Sequence, residues 1–172
     1  MLASSFSDLG RELGRPVSDA DARLLGCSVP DWPAFDDSAQ ALQQLAASYR
    51  LIILSNVDRR SFAGSQGRLG VDFDTVITAE DLGVYKPDPG AFDGLLHVTS
   101  EMGIRPDRLL HVAQSMFHDH LPAMSNGLST VWINRRHDRS GWGATPAPAS
   151  MPTPEWEFTS MAAFVAASST SR

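Results

Sequence analysis

The side chains best suited to chemistry stand in three short stretches: "LSN" with Ser55 and Asn56, "VYKPDPGAF" with Lys86, and "VAQSMFHDH" with Gln114, Ser115 and Asp119. A hydroxyl, an amide and neighbouring backbone N–H groups can take an anion, while a compact ammonium can neutralise charge as it develops. A carboxylate such as Asp119 can orient a water, a lysine or a cation. Each stretch also has a plainer reading. Ser and Asn start turns by bonding their own backbone, and lysine is almost always solvated. His118 and His120 flank Asp119, so composition alone also admits a metal cluster. Adjacent strand-end residues point in different directions, which argues against one.

The elements around these stretches share a pattern. Residues 51–54, Leu-Ile-Ile-Leu, are apolar without alternation, as expected of a parallel strand covered on both faces. Residues 109–113 read as a second such strand. Both end in small polar residues, at the carboxyl edge where open parallel α/β sheets bind ligands. Further strands are expected at 75–78, in "STVWINR" and at 157–159, and helices in "DSAQALQQLAASY", "DPGAFDGLLHVTSEMG", "LPAMSNG" and at 161–167. Before residue 48 the chain reads as helical. Phe6, Leu9 and Leu13 fall at helical spacing before Gly14, and Ser18 or Asp19 caps a helix closing on Gly26. "VPDWPAFDD" reads as a stiff connector, and "GATPAPASMPTPEWEF" as an irregular surface run. Alternating strands and helices imply a mostly parallel sheet with right-handed crossovers.

The totals narrow the classes. A chain of 172 residues with 42% hydrophobic content supports one domain with a real core. A net charge of -6 and only short basic groups, Arg59-Arg60 and Arg135-Arg136, argue against a nucleic-acid partner. No stretch approaches a membrane span or a secretory signal. A single cysteine, Cys27, excludes an intrachain disulfide and fits a reducing compartment, the cytoplasm by default. Beside Leu24 and Leu25 it reads as a core thiol.

In order and spacing, the three polar stretches resemble motifs two, three and four of the haloacid dehalogenase superfamily of hydrolases. The wording of "LSN", "YKPDP" and "HVAQSMFHDH" is most similar to the 2-haloacid dehalogenase-like branch. The resemblance covers roughly residues 30–136. It implies a three-layer α/β/α Rossmann-like core over residues 31–172, with residues 1–30 a helical remnant of the family's cap. It also implies roles. Ser55 would bond a substrate phosphate or carboxylate with the Asn56 backbone beside it, Lys86 would neutralise the nucleophilic carboxylate, and Asp119 would orient a water, a lysine or a metal. Gln114 and Ser115 join the substrate-binding set. Phe92 stands where the branch can carry an aromatic near the substrate, although core packing suits it better.

Two departures qualify the resemblance. The family's first motif is a buried strand ending in a nucleophilic Asp, and nothing upstream of Ser55 fits it. Asp8, Asp19, Asp21 and Asp31 follow helical or turn sequence, and Asp36-Asp37 opens a helix. Gln114 stands where magnesium-dependent members place an acidic ligand, and an amide is the poorer partner for a hard dication. No cofactor and no metal are therefore expected. The core reads as N-terminally truncated and inactive in aspartyl-nucleophile hydrolysis as given. Two alternatives stay open: acid–base chemistry by Ser55, Lys86 and Asp119 without a covalent step, or a non-catalytic binding or assembly role. The partner expected is a small anionic carboxylate or phosphate. The strands ending at Ser55 and Ala113 lose a shared neighbour, so they should pair directly or form a homodimer through exposed edges.

Overall fold

The computed structural model describes residues 2–143 and 145–169. After α1 (Leu2–Glu12), α2 (Asp19–Cys27) and α3 (Ser38–Ala46), the chain alternates: β1 (Ile52–Ser55), α4 (Arg59–Leu69), β2 (Thr75–Thr78), α5 (Ala79–Leu82), α6 (Pro89–Glu101), β3 (Leu110–Ala113), α7 (Leu121–Ser125), β4 (Ser129–Ile133), β5 (Trp156–Phe158) and α8 (Met161–Ser169). The strands lie within two residues of their expected positions, the usual scatter at element ends. Two short elements were not legible in the sequence. One is α5, set by a reciprocal capping box between Thr78 and Asp81. The other is a π-helical turn at Met116–His120, capped by Ser115. The "VPDWPAFDD" connector contains a 3-10 turn at Val29–Asp31.

Every pairing among the described strands is parallel, but the sheet is divided. β1 pairs with β2, with Leu54 opposite Ile77. β4 lies between β3 and β5, with Val112 opposite Val131 and Ile133 opposite Phe158. The expectation that β1 and β3 would pair directly is overturned, since neither bonds the other. What keeps the two parts together is packing on both faces. On one side Ala41 and Leu45 of α3 and Phe164 and Val165 of α8 bury against Val131 and Ile133, with Leu51 and Val112 added from either side of the division. On the other, Phe92 and Leu95 of α6 pack with Ile77, Ala123 and Leu128, joined by Ile52, Leu54 and Leu109. Helix layers thus clamp the sheet, giving the expected three-layer α/β/α core.

The division also corrects the expectation of a fully covered first strand. All four β1 residues are only half-buried, because a strand with one neighbour leaves an edge uncovered.

The N-terminal helices depart further from expectation. Ser18 caps α2 by accepting from the Asp21 N–H at 3.1 Å, and Gly14 takes the left-handed φ of +65° just past α1. However, α1 and α2 meet through their smallest residues. A Cβ on Gly26 would stand 3.1 Å from that of Ala3, so the close approach falls on that side of each helix. The larger side chains turn outward as a result. Leu9, Leu13 and Leu24 are 50%, 67% and 71% exposed, and Cys27 is exposed as well. The core thiol expected from the neighbouring Leu24 and Leu25 is therefore corrected.

Candidate active site

The site is built on the division between β1 and β3. The Lys86 ammonium donates to the Leu54 carbonyl of β1 at 2.7 Å and to Asp119 Oδ1 at 2.6 Å. His111, on β3, brings its Nε2 to 3.2 Å from the same Asp119 oxygen. Lys86, His111 and Asp119 side chains are only 10–12% exposed. The surface-lysine reading is thus replaced by a buried one, and Asp119 does orient a lysine. A short charge-assisted contact of this kind is among the stronger hydrogen bonds available to a protein.

Three consecutive residues explain how Lys86 is held. Leu54 takes the ammonium, and Asn56 clamps the lysine's own backbone. The Asn56 Oδ1 accepts from the Lys86 N–H at 2.7 Å, and its Nδ2 donates to the Lys86 carbonyl at 2.9 Å. This two-bond bridge mimics a strand pairing and fixes the loop "VYKPDP" against the end of β1. Asn56 spends its Oδ1 and one Nδ2 hydrogen on the Lys86 backbone. Ser55 sits between these two anchors as the last residue of β1 and is half-buried. Among the described residues its hydroxyl has no partner.

The third stretch divides. Ser115 is buried and its hydroxyl caps the π-helical turn, accepting from the His118 N–H at 3.0 Å and lying 3.1 Å from His118 Nδ1. It is occupied by the backbone rather than turned to a ligand. Gln114 is exposed, and its carbonyl accepts from Trp132 Nε1 at 3.0 Å. The residue lines a neighbouring cleft. Phe92 is fully buried in the core and meets the His111 ring edge-on, with centroids 5.3 Å apart, so it supports His111 from below.

Electrostatics follow from this packing. Burial alone would raise the Asp119 carboxyl, but the His111 hydrogen bond and the Lys86 charge outweigh it and hold the group far below the usual carboxylate range. Asp119 is therefore ionised at any working pH. Burial lowers both His118 and His120. The donors do not fit magnesium: the Asp119 oxygen is engaged by an ammonium and an imidazole rather than by further oxygen ligands. Among the described residues no cluster of three His, Cys, Asp or Glu could hold a metal ion, and no helix is long and apolar enough to cross a membrane.

Sequence reasoning did not select His111. Its signal was one polar residue inside the apolar run "RLLHVA", which shares a strand face with nothing else polar and so needed a partner. Upstream of β1 the described residues contain no strand. Asp8, Asp19 and Asp21 lie on helices, Asp31 on the 3-10 turn, and Asp37 at the start of α3, where it pairs with Arg135 at 2.8 Å.

Residues 7–113 match the haloacid dehalogenase-like hydrolase family. The haloacid dehalogenase-like hydrolase domain-containing protein 3 of Danio rerio is 30% identical over 112 residues, 64% of this chain and 45% of that protein. The (S)-2-haloacid dehalogenase H-109 of Pseudomonas putida is 31% identical over 129 residues, 73% of this chain and 56% of the relative. The chain thus spans about half the length of the curated relatives it matches. The L-2-haloacid dehalogenase of Xanthobacter autotrophicus, solved with chloropropionic acid covalently bound, superimposes with a TM-score of 0.80 at 19% identity, over 99% of this chain and 75% of that one. That likeness establishes the fold. With the family match covering more than half of the sequence, the chain belongs to the haloacid dehalogenase-like hydrolases and is related to the 2-haloacid dehalogenases.

Proposed function

We propose that residues 1–172 form the anion-binding part of a 2-haloacid dehalogenase-like site and do not, as they stand, carry out hydrolysis through an aspartyl intermediate. The observation behind this reading is the partner set of Lys86. Among the described residues its ammonium meets the Leu54 carbonyl and Asp119, and no strand-end carboxylate stands before it as a nucleophile. What supports the reading is the Lys86 ammonium, paired with Asp119, together with a Ser55 hydroxyl that has no partner among the described residues, groups that can take a small carboxylate or phosphate.

The test has two arms. Purified chain is expected to release no halide from short 2-haloacids and no phosphate from an aryl phosphate, with or without magnesium. Titration with phosphate, sulfate and lactate is expected to shift the backbone amides of residues 55–58, saturating in the millimolar range typical of weak binding. Those shifts should vanish in Ser55→Ala and Lys86→Ala. Equal shifts in all three proteins would remove the anion site.

A second reading, acid–base catalysis, is favoured by the His111–Asp119 contact, which resembles a base with its orienting carboxylate. Turnover abolished by Lys86→Ala would support that reading over the first. The edges of β1 and β3 that border the division also offer a place for a second copy to add a strand; light scattering distinguishes monomer from homodimer. The single cysteine supports a reducing, cytoplasmic setting.

A further inference from the structure

Beyond β4, residues of the loop from Asn134 to Trp142 line a cleft of about 250 Å³ together with Gln114, Trp132 and Thr145. It shares no residue with the Lys86–His111–Asp119 contact. Two indoles, Trp132 and Trp142, and two guanidinium groups, Arg136 and Arg139, line it together with Gln114 and His137. No carboxylate is part of the lining, in a chain whose net charge is -6.

The two adjacent arginines show why this cleft differs from ordinary surface. Arg135 is committed: it bonds Asp37 at 2.8 Å and lies over the Phe35 ring at 4.1 Å. Arg136 has no carboxylate partner among the described residues. It donates only to the Ser140 carbonyl, at a long 3.3 Å, while its enclosed Nε finds no acceptor. An unmatched guanidinium with an enclosed donor is costly unless something supplies an acceptor. Arg139 reaches only Asp138, at 3.9 Å and with both side chains exposed, so it too is available.

The loop is shaped to keep Arg136 here. Gly143 has a φ of +68°, and a Cβ on it would stand 3.2 Å from Arg136 Cδ, so glycine lets the backbone close against the guanidinium. The Thr145 hydroxyl donates to the Trp142 carbonyl at 2.8 Å, closing the turn that carries the indole. On the other wall, Trp132 is fixed by its bond to Gln114.

We propose that this cleft binds a small aromatic anion, an arylcarboxylate or aryl phosphate, with the ring against the indoles and the charge on Arg136 and Arg139. Size and chemistry agree. A cavity of about 150 Å³ accepts benzene, so this cleft has room for one ring and one acidic group. Guanidinium groups match the planar, two-oxygen geometry of carboxylate and phosphate, and indole faces suit a flat partner. The proposal does not depend on the reading of the Lys86 site.

The chain carries four tryptophans, Trp32, Trp132, Trp142 and Trp156, whose indole N–H resonances report the site directly. Phenyl phosphate is titrated into the 172-residue chain, with inorganic phosphate in parallel. The Trp132 and Trp142 signals should move and saturate, those of Trp32 and Trp156 should stay, and inorganic phosphate should bind at least about tenfold more weakly for want of a ring. Arg139→Ala, at an exposed position with no fold-bearing contact, and Arg136→Ala should each weaken binding about tenfold. Lys86→Ala should leave it unchanged. Absence of saturation, wild-type affinity in both arginine variants, or loss of binding in a Lys86→Ala chain whose amide spectrum shows it folded would overturn the proposal.

Discussion

β4 and β1 have similar apolar sequences and end in different states. β4 has a strand on each side, and Thr130, Val131 and Ile133 are buried. β1 has β2 on one side only, and Ile52, Ile53 and Leu54 stay half-buried although no polar residue interrupts them. β3 shares this condition across the division, where Leu110 is 44% exposed. An apolar run therefore specifies that a strand forms, while the number of its neighbours decides how much water is removed. The division is occupied by charge instead. Lys86 supplies a donor to the Leu54 carbonyl, and Asp119 with His111 balances the ammonium. The part of the molecule with the weakest sheet is also the part with the densest polar contact.

This contrast predicts unequal responses to substitution. Asp119→Ala leaves the Lys86 ammonium buried without its carboxylate, and loss of one member of such a pair typically costs about 3–5 kcal/mol. Replacing both partners, Lys86→Met with Asp119→Leu, should recover most of that stability, since well-packed apolar pairs often equal a buried ion pair. Urea denaturation at pH 7 measures both. A double variant no more stable than Asp119→Ala would show that the charged pair holds the two sheets together in its own right. Next in size, Ile133→Ala in β4 should cost about 3 kcal/mol through a lost side chain and a residual cavity. Ile53→Ala in β1 should cost less than half as much, because water already reaches it. Equal losses would mean that the edge of β1 is covered in solution.

The same contrast separates what was legible in the sequence. Strands followed from uninterrupted apolar runs, and Phe92 is buried in the core, the packing that suited it better. Lys86 and Asp119, singled out in separate stretches of the sequence, meet in the structure. What was not legible depends on contacts between distant segments. Nothing in "LSN" says that Asn56 will clamp a backbone 30 residues away, and nothing local says that α1 and α2 will meet through Ala3 and Gly26, turning Leu24 outward. His111 was visible as a polar interruption but not as a partner of Asp119. Ser115 has the residue type of a ligand and the position of a helix cap, and the cap prevails because the π-helical turn leaves N–H groups that need an acceptor.

A smaller effect is expected at the clamp itself. Asn56→Ala removes the donor and the acceptor that hold the Lys86 backbone. Two neutral hydrogen bonds in a half-buried setting contribute about 1–2 kcal/mol together. The ammonium would retain its own contacts but lose its fixed approach, so anion affinity should fall with little loss of stability. Asn56→Asp keeps the acceptor for the Lys86 N–H but not the donor, and should lie between wild type and Asn56→Ala in both urea midpoint and amide shifts. If Asn56→Ala binds phosphate as wild type does, the lysine is positioned by Asp119 and Leu54 alone.

The smallest effect is one of pH, and it belongs to the end of β3. His120 is fully buried, its Nε2 donates to the Ala113 carbonyl at 3.0 Å, and its Nδ1 has no partner. Burial lowers its pKa from 6.5, outweighing the Ala113 bond and the charges of Asp119 and Glu155, which act the other way. The unfolded chain takes up this proton below about pH 6.5 while the folded chain does not. The stability contributed is complete above that pH and declines as pH falls, by at most about 1.4 kcal/mol per pH unit for one proton. His118, lowered by a lesser burial, adds in the same direction. Asp119 adds again only below about 3.8, where unfolded aspartate begins to protonate. His120→Gln keeps a donor for the Ala113 carbonyl and cannot titrate. Urea midpoints at pH 7.5, 6.5 and 5.5 should therefore fall more steeply for wild type than for His120→Gln. Parallel slopes would mean that the imidazole reaches water as the chain is acidified, and that the end of β3 opens as readily as the β1 edge.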